Sequence, residues 1–161
     1  MKRLQALILA VLSVTVGNAF AKQEAPRLVV LAPHLVEQLY NIGAGDLIVG
    51  TVEHADYPAA AAKIPRVGNY AGLQLEVVLA LKPDIVLYWQ SGSSEAEISK
   101  LQQLGIRTEG FEAKTLDDIA TDLNRLGALT QRVSEAQQQA ENFRQRLQHL
   151  RQQYQQQRPI S

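Results

Sequence analysis

Short apolar runs alternate with amphipathic stretches from residue 27 onward. "RLVVLA" (27–32) is rich in β-branched residues and lacks a helical period, which predicts a buried strand. Pro33 ends it, and "HLVEQLYNIG" then places Leu35, Leu39 and Ile42 at helical spacing, with Gly43 in C-cap position. "LIVG" (47–50) predicts a second short strand, "PAAAAK" (58–63) a helical turn with Pro58 at its first position, and "PRVG" (65–68) a third extended piece. "LEVVLALK" (75–82) predicts a helix stopped by Pro83, which has no N–H to donate. "DIVLYW" (84–89) carries the strongest strand signal. "SSEAEISKLQQLG" predicts a helix with a Ser94–Glu97 capping box and an end at Gly105. "IRTEGF" (106–111) predicts another strand, and "TLDDIATDLNRLGALT" (115–130) a helix capped by Thr115. This alternation implies βαβ units: an α/β lobe with a mostly parallel sheet flanked by helices on both faces.

After Thr130 the pattern changes. "QRVSEAQQQAENFRQRLQHLRQQYQQQ" holds 11 Gln in 27 residues. Its apolar positions, Val133, Ala136, Ala140, Phe143, Leu147, Leu150 and Tyr154, are spaced alternately three and four apart. That predicts one long helix with a single apolar stripe. A coiled-coil seam is the competing reading, weakened by Ala at two seam positions and by Gln-dominated flanks. The closing "RPIS" reads as the entry to a further strand.

The N-terminus stands outside this scheme. "MKRLQALILAVLSVTVGNAFA" combines Lys2 and Arg3, an apolar run from Leu4 to Val16 and a small-x-small ending, the pattern of a secretory signal peptide cleaved after Ala21. The run is shorter than the roughly 20 residues that span a bilayer, which argues against an anchor. The expected division is 1–21 signal peptide, 22–130 α/β lobe, 131–158 long helix and 159–161 the truncated start of a second lobe that is missing. Without Lys2 and Arg3 the 16 basic side chains fall to 14 against 16 acidic ones. A near-neutral mature chain offers nothing to a polyanion, so no nucleic-acid partner is expected. The chain has no cysteine, which excludes disulfides, thiol chemistry and Cys-based metal sites.

Ligands of open parallel sheets bind beyond the carboxyl ends of the strands. The segments that follow the strands here bring flat rings to that edge: His34, His54 and Tyr57 in "VEHADYP", Tyr70, and Tyr88 or Trp89, which alternation sends to opposite faces. In a chain only 6% aromatic, such clustering suits a large, rigid, partly apolar ligand. Catalytic readings are weak. There is no G-x-S-x-G elbow, phosphate-cradling Gly loop or H-E-x-x-H, and "GSS" (92–94) serves as loop and N-cap. His34, Glu53, His54 and Asp56 would form a zinc site only if both loops converged. Asp56 before Tyr-Pro is a good turn residue, and His149 lies on the polar side of the long helix.

"GTVEHADYP", "RVGNYAGLQLEVVLALKPDIVLYWQSG" and "LQQLGI" resemble the N-terminal lobe of periplasmic cobalamin-binding proteins of ABC importers, within the helical-backbone class that also binds haem and siderophores. The resemblance implies two Rossmann-like α/β lobes joined by one long helix, with the ligand clamped between them. It implies that Tyr70 and Trp89 stand where ligand-stacking tryptophans occur, with Pro33 and Tyr57 lining the same mouth. It also implies that Glu76 is the acidic residue that docks onto the permease; a helix-N-terminal carboxylate facing the macrodipole fits Glu76 as well. His54 stands where a tyrosine is usual, so it would stack on a corrin or, were the ligand haem, reach its metal. The expected function is a non-enzymatic, monomeric periplasmic binding protein that captures cobalamin as a transported ligand, needs no catalytic cofactor and delivers to an inner-membrane ABC permease. Haem or a ferric siderophore is the alternative ligand. A periplasmic adaptor working through its Gln-rich helix is the alternative class.

Overall fold

The computed structural model describes residues 25–69 and 71–154. The signal-peptide segment, Tyr70, and the chain from residue 155 to its end, including the expected second-lobe start, lie outside the described residues. The elements run β1 (Leu28–Val30), α1 (Pro33–Asn41), β2 (Ile48–Val52), β3 (Arg66–Asn69), β4 (Gly72–Leu73), α2 (Leu75–Ala80), β5 (Ile85–Trp89), α3 (Glu95–Gln103), β6 (Arg107–Phe111), α4 (Leu116–Thr130) and α5 (Val133–Tyr154). Short 3-10 segments at Gly45–Leu47 and Ala59–Lys63 complete them.

The six strands form one sheet in the order β4-β3-β2-β1-β5-β6. Every pairing is parallel except the β3–β4 hairpin. Strand alternation divides the core into two faces. Leu28, Val30, Ile85 and Leu87 pack beneath α1, α4 and the first half of α5. Val29, Val67 and Val86 pack beneath α2 and α3, with Val78, Ile98 and Leu101. β1 lies between β2 and β5. The chain winds outward from β1 through β2 and β3, then returns to lay β5 along the other side of β1. That reversal opens a crevice at the carboxyl ends of β1 and β5.

The structure corrects several expected details. Pro33 does not merely stop the first strand; it opens α1, where a missing N–H costs nothing. "PAAAAK" is a 3-10 segment in which Pro58 is the extended cap rather than the first helical residue. The β3–β4 hairpin was not foreseen, because two residues carry no period. Ser94 is the N-cap of α3, but its side chain makes no capping bond. Glu97 is engaged elsewhere: its Oε1 accepts the Leu73 N–H at 2.8 Å, which ties α3 to the hairpin. Thr115 does cap α4, with Asp118 completing a capping box. Gln131 adopts φ 60° and breaks the chain between α4 and α5, so the long helix starts at Val133 and is described to Tyr154. Its stripe packs on α4 through Ala136, Ala140 and Leu147, while Leu150 and Tyr154 stay about half exposed.

Candidate functional site

The parallel strands carry their following loops to one edge of the sheet, and this edge holds most of the residues singled out from sequence. Pro33 and His34 form the first turn of α1, directly after β1. Trp89 ends β5, 44% exposed. The two sites meet across the switch-point crevice, where the His34 and Trp89 rings stand T-shaped with centroids 5.9 Å apart and planes at 89°. Tyr88 points to the other face, among the residues beneath α2 and α3. His54 and Tyr57 lie in the loop after β2, both exposed, Tyr57 at 70%. Asn69 ends β3, and its Oδ1 accepts the Ala71 N–H at 2.9 Å across the hairpin tip. Tyr70, at that tip in sequence, lies outside the described residues. Glu76 is exposed in the first turn of α2.

The loop after β2 is pinned from β3. Arg66 donates to the carbonyl oxygens of Val52 and Ala55 at 3.1 and 3.2 Å and pairs with Asp56 at 2.9 Å. The Glu53 N–H donates to the Gly68 carbonyl at 3.0 Å. Asp56 is thus held in an ion pair and His54 sits in the left-handed region at φ 67°, a conformation histidine adopts more readily than most residues. Among the described residues no three His, Asp or Glu side chains are grouped so as to hold a metal ion.

Beside the crevice a cavity of about 400 Å³ opens between the β3–β4 hairpin and the start of α3, lined in part by Val52, Asn69, Leu73, Ser93, Ser94 and Glu97. On the opposite face α4 supplies a charged backing. Arg125 stacks over Phe111 at 4.3 Å, donates to the Gly110 carbonyl at 3.1 Å and reaches Asp122 at 3.4 Å. Burial pushes the Asp122 carboxyl above the ordinary carboxylate value, opposed by Arg125. Burial likewise pushes His34 below the ordinary imidazole value, against the pull of Asp122, Glu37 and Glu112. At neutral pH, His34 is therefore an uncharged ring. Among the described residues this edge has aromatic surface, backbone polar groups and small hydroxyls, and no nucleophile held by a base.

Residues 28–161 match the family model described as periplasmic binding protein. The chain belongs to the periplasmic binding protein family. Within the family, it is 40% identical over 136 residues to the vitamin B12-binding protein of Vibrio cholerae, an alignment covering 84% of this chain and 49% of that one. The crystal structure of the periplasmic vitamin B12 binding protein BtuF of Vibrio cholerae superposes with a TM-score of 0.80 at 40% identity, covering 84% of this chain and 53% of that one. A periplasmic heme binding protein from Pseudomonas aeruginosa matches with a TM-score of 0.70 at 28% identity, over 77% of this chain and 45% of that one. The chain spans about half the length of the curated relatives it matches. The α/β lobe and the helix after it accordingly have the architecture of this family of binding proteins.

Sequence reasoning placed His34 on the rim but missed its contact with Trp89, read Gly92 only as part of a loop, and missed Asp122 and Arg125 altogether. His34 and Trp89 are far apart in sequence, and only the return of β5 to the side of β1 brings them together. The grip of Arg66 on the loop after β2 was not legible from a single arginine in a strand.

Proposed function

We propose that this chain supplies the cobalamin-capturing wall of a periplasmic binding protein and delivers its ligand to an ABC permease in the inner membrane. The observation that carries the reading is the likeness to the Vibrio cholerae protein: the identity there, 40%, exceeds the 28% to the heme binding protein, over a larger share of the chain. The edge geometry supports it. Exposed rings at Trp89 and Tyr57, backed by the carboxyl edge of the sheet, suit the flat, partly apolar face of a corrin, and the hydroxyls and backbone groups of the neighbouring cavity suit its amides. Arg66, the cation beside the loop after β2, is already committed to Asp56 and two carbonyls rather than free to meet an anionic chelate. In this reading Pro33, His54, Tyr57, Tyr70 and Trp89 line the mouth, and Glu76 on the outer surface docks the permease. Cobalamin is cargo, so no catalytic cofactor and no turnover are required. The protein is periplasmic after removal of residues 1–21. Residues 22–130 belong to the binding lobe and the helix from Val133 onward to the link toward a second lobe, and the protein acts as a monomer.

Haem is the second reading. It is favoured by one observation, an exposed His54 in the loop after β2. Absorbance and calorimetric titrations with cyanocobalamin and with haemin decide between them. Saturable cobalamin binding that weakens in Trp89→Ala supports the first. Haemin binding that is lost in His54→Ala, with no response to cobalamin, overturns it.

A further inference from the structure

We propose that His34 and Gly92 are positioning residues for Trp89, together setting the indole as the platform of the switch-point crevice. What the platform receives rests on the cobalamin reading; the platform itself does not.

Three observations converge. First, the His34 ring meets the indole in a T-shaped contact at 5.9 Å, within the range where such ring pairs attract beyond buried area. Second, a Cβ built on Gly92 would run into the six-membered ring of Trp89. Gly92 is not among the residues with positive φ, so its backbone would admit alanine. The indole alone demands a glycine there. Third, the turn that carries Gly92 is fastened on both sides. The Gly92 and Ser93 N–H groups donate to the Trp89 carbonyl at 3.3 and 3.0 Å. The Gln90 N–H donates to the Phe111 carbonyl at 3.0 Å, and the Ser91 N–H to Glu112 Oε2 at 3.0 Å. A tethered turn cannot swing aside, so an added methyl group must displace the ring.

The groups facing His34 are Glu37 on its own helix, Asp122 from α4, with Arg125 beside it, and Glu112 beyond β6. The last also holds the turn, so the turn and the imidazole share a partner. This gives the contact a spectroscopic signature that a merely structural residue would lack. Trp89 is the chain's single tryptophan, and a protonated imidazole against an indole quenches its emission.

The test uses the ligand-free chain first. Between pH 8 and 5 the emission of Trp89 should fall in a single titration centred below about 6.5, the ordinary histidine value. His34→Phe, which keeps a ring, should abolish the titration while keeping the emission maximum; His34→Ala should shift the maximum and increase acrylamide quenching. Gly92→Ala should do the same, and should lower the melting temperature in the presence of Trp89 but not in a Trp89→Ala background. With cyanocobalamin, Gly92→Ala and His34→Ala should weaken binding about tenfold, close to 1.4 kcal/mol, and His34→Phe should restore most of it. Emission and quenching unchanged in both His34→Ala and Gly92→Ala, or a Gly92→Ala cost that persists without the indole, would overturn the proposal. If the emission changes appear but the parent chain ignores cobalamin, the positioning role stands and the ligand reading falls.

Discussion

At the scale of single residues, the pair His34–Asp122 sets how the crevice responds to acid. His34 sits below its ordinary value because burial outweighs three carboxylates, of which Asp122 pulls hardest. Asp122→Asn removes that pull, so the His34 titration should move to lower pH, read in Trp89 emission; a shift upward would mean that Asp122 does not act on this ring. The sign for stability follows from the same value. A histidine with a depressed folded pKa leaves the unfolded chain to bind the proton first, so its contribution is intact above about pH 6.5 and is lost as pH falls toward the folded value. Urea midpoints at pH 7.5 and 5 should therefore differ less in His34→Phe than in the parent chain. Asp122 runs the other way: its raised folded value costs stability as pH rises from the ordinary carboxylate range to that value. Arg66 is the other residue whose role is local. Its fork spans two carbonyls and a carboxylate, a geometry that lysine lacks. Arg66→Lys should cost about 1–2 kcal/mol, near one or two net hydrogen bonds, and speed amide exchange across residues 53–57. Unaltered exchange there would show that the loop holds its own shape. Neither partnership was legible in sequence, because each joins elements that become neighbours only in the folded lobe: α1 with α4, and β3 with the loop after β2.

At the scale of elements, legibility followed the strength of local signals. Thr115 and Asp118 are neighbours on one turn, so the cap of α4 could be read directly. Ser94 and Glu97 show the same spacing, yet tertiary structure overrides it: the unforeseen β4 exposes the Leu73 N–H, and the Glu97 carboxylate serves that donor instead. The α4–α5 junction shows the same limit. The apolar stripe of α5 was plain, but the reason it docks so closely was hidden in one glycine. A Cβ on Gly127 would overlap that of Ala136 and come within 2.9 Å of the Arg132 carbonyl oxygen. The Gly127 carbonyl also accepts the Arg132 N–H at 2.9 Å, so the obstacle is backbone fixed by its own bond. Glycine inside a helix normally costs close to 1 kcal/mol relative to alanine. Here the order should invert: Gly127→Ala should destabilise the fold by about 1–3 kcal/mol through overpacking, seen as a lower urea midpoint. A midpoint that rises would mean that α5 yields easily and its docking is loose.

At the scale of the whole molecule, the described residues present one wall to a ligand. The candidate edge is the carboxyl rim of a single sheet, with Trp89 and Tyr57 still 44% and 70% exposed, and the alignment covers about half of the matched relative. On the cobalamin reading, the described rim covers one face of a corrin and leaves the other in water, so it supplies about half of the apolar burial open to a ligand clamped on both faces. Every 1.4 kcal/mol withheld is a factor of ten in affinity, so the 161-residue chain should bind cyanocobalamin at least about a hundredfold more weakly than the Vibrio cholerae protein, compared side by side by calorimetry. A second copy of the described lobe would cover the other face of such a ligand. Leu150 and Tyr154, about half exposed on α5, with Leu116 exposed on α4, are apolar surface that a second copy would bury. Sizing chromatography with and without ligand separates the possibilities. A monomer with weak binding is the expected result. Binding as tight as the relative's, accompanied by a ligand-dependent dimer, would overturn it, since two rims would then close on one corrin. Tight binding by a monomer would overturn it more deeply, for a single rim would then be enough.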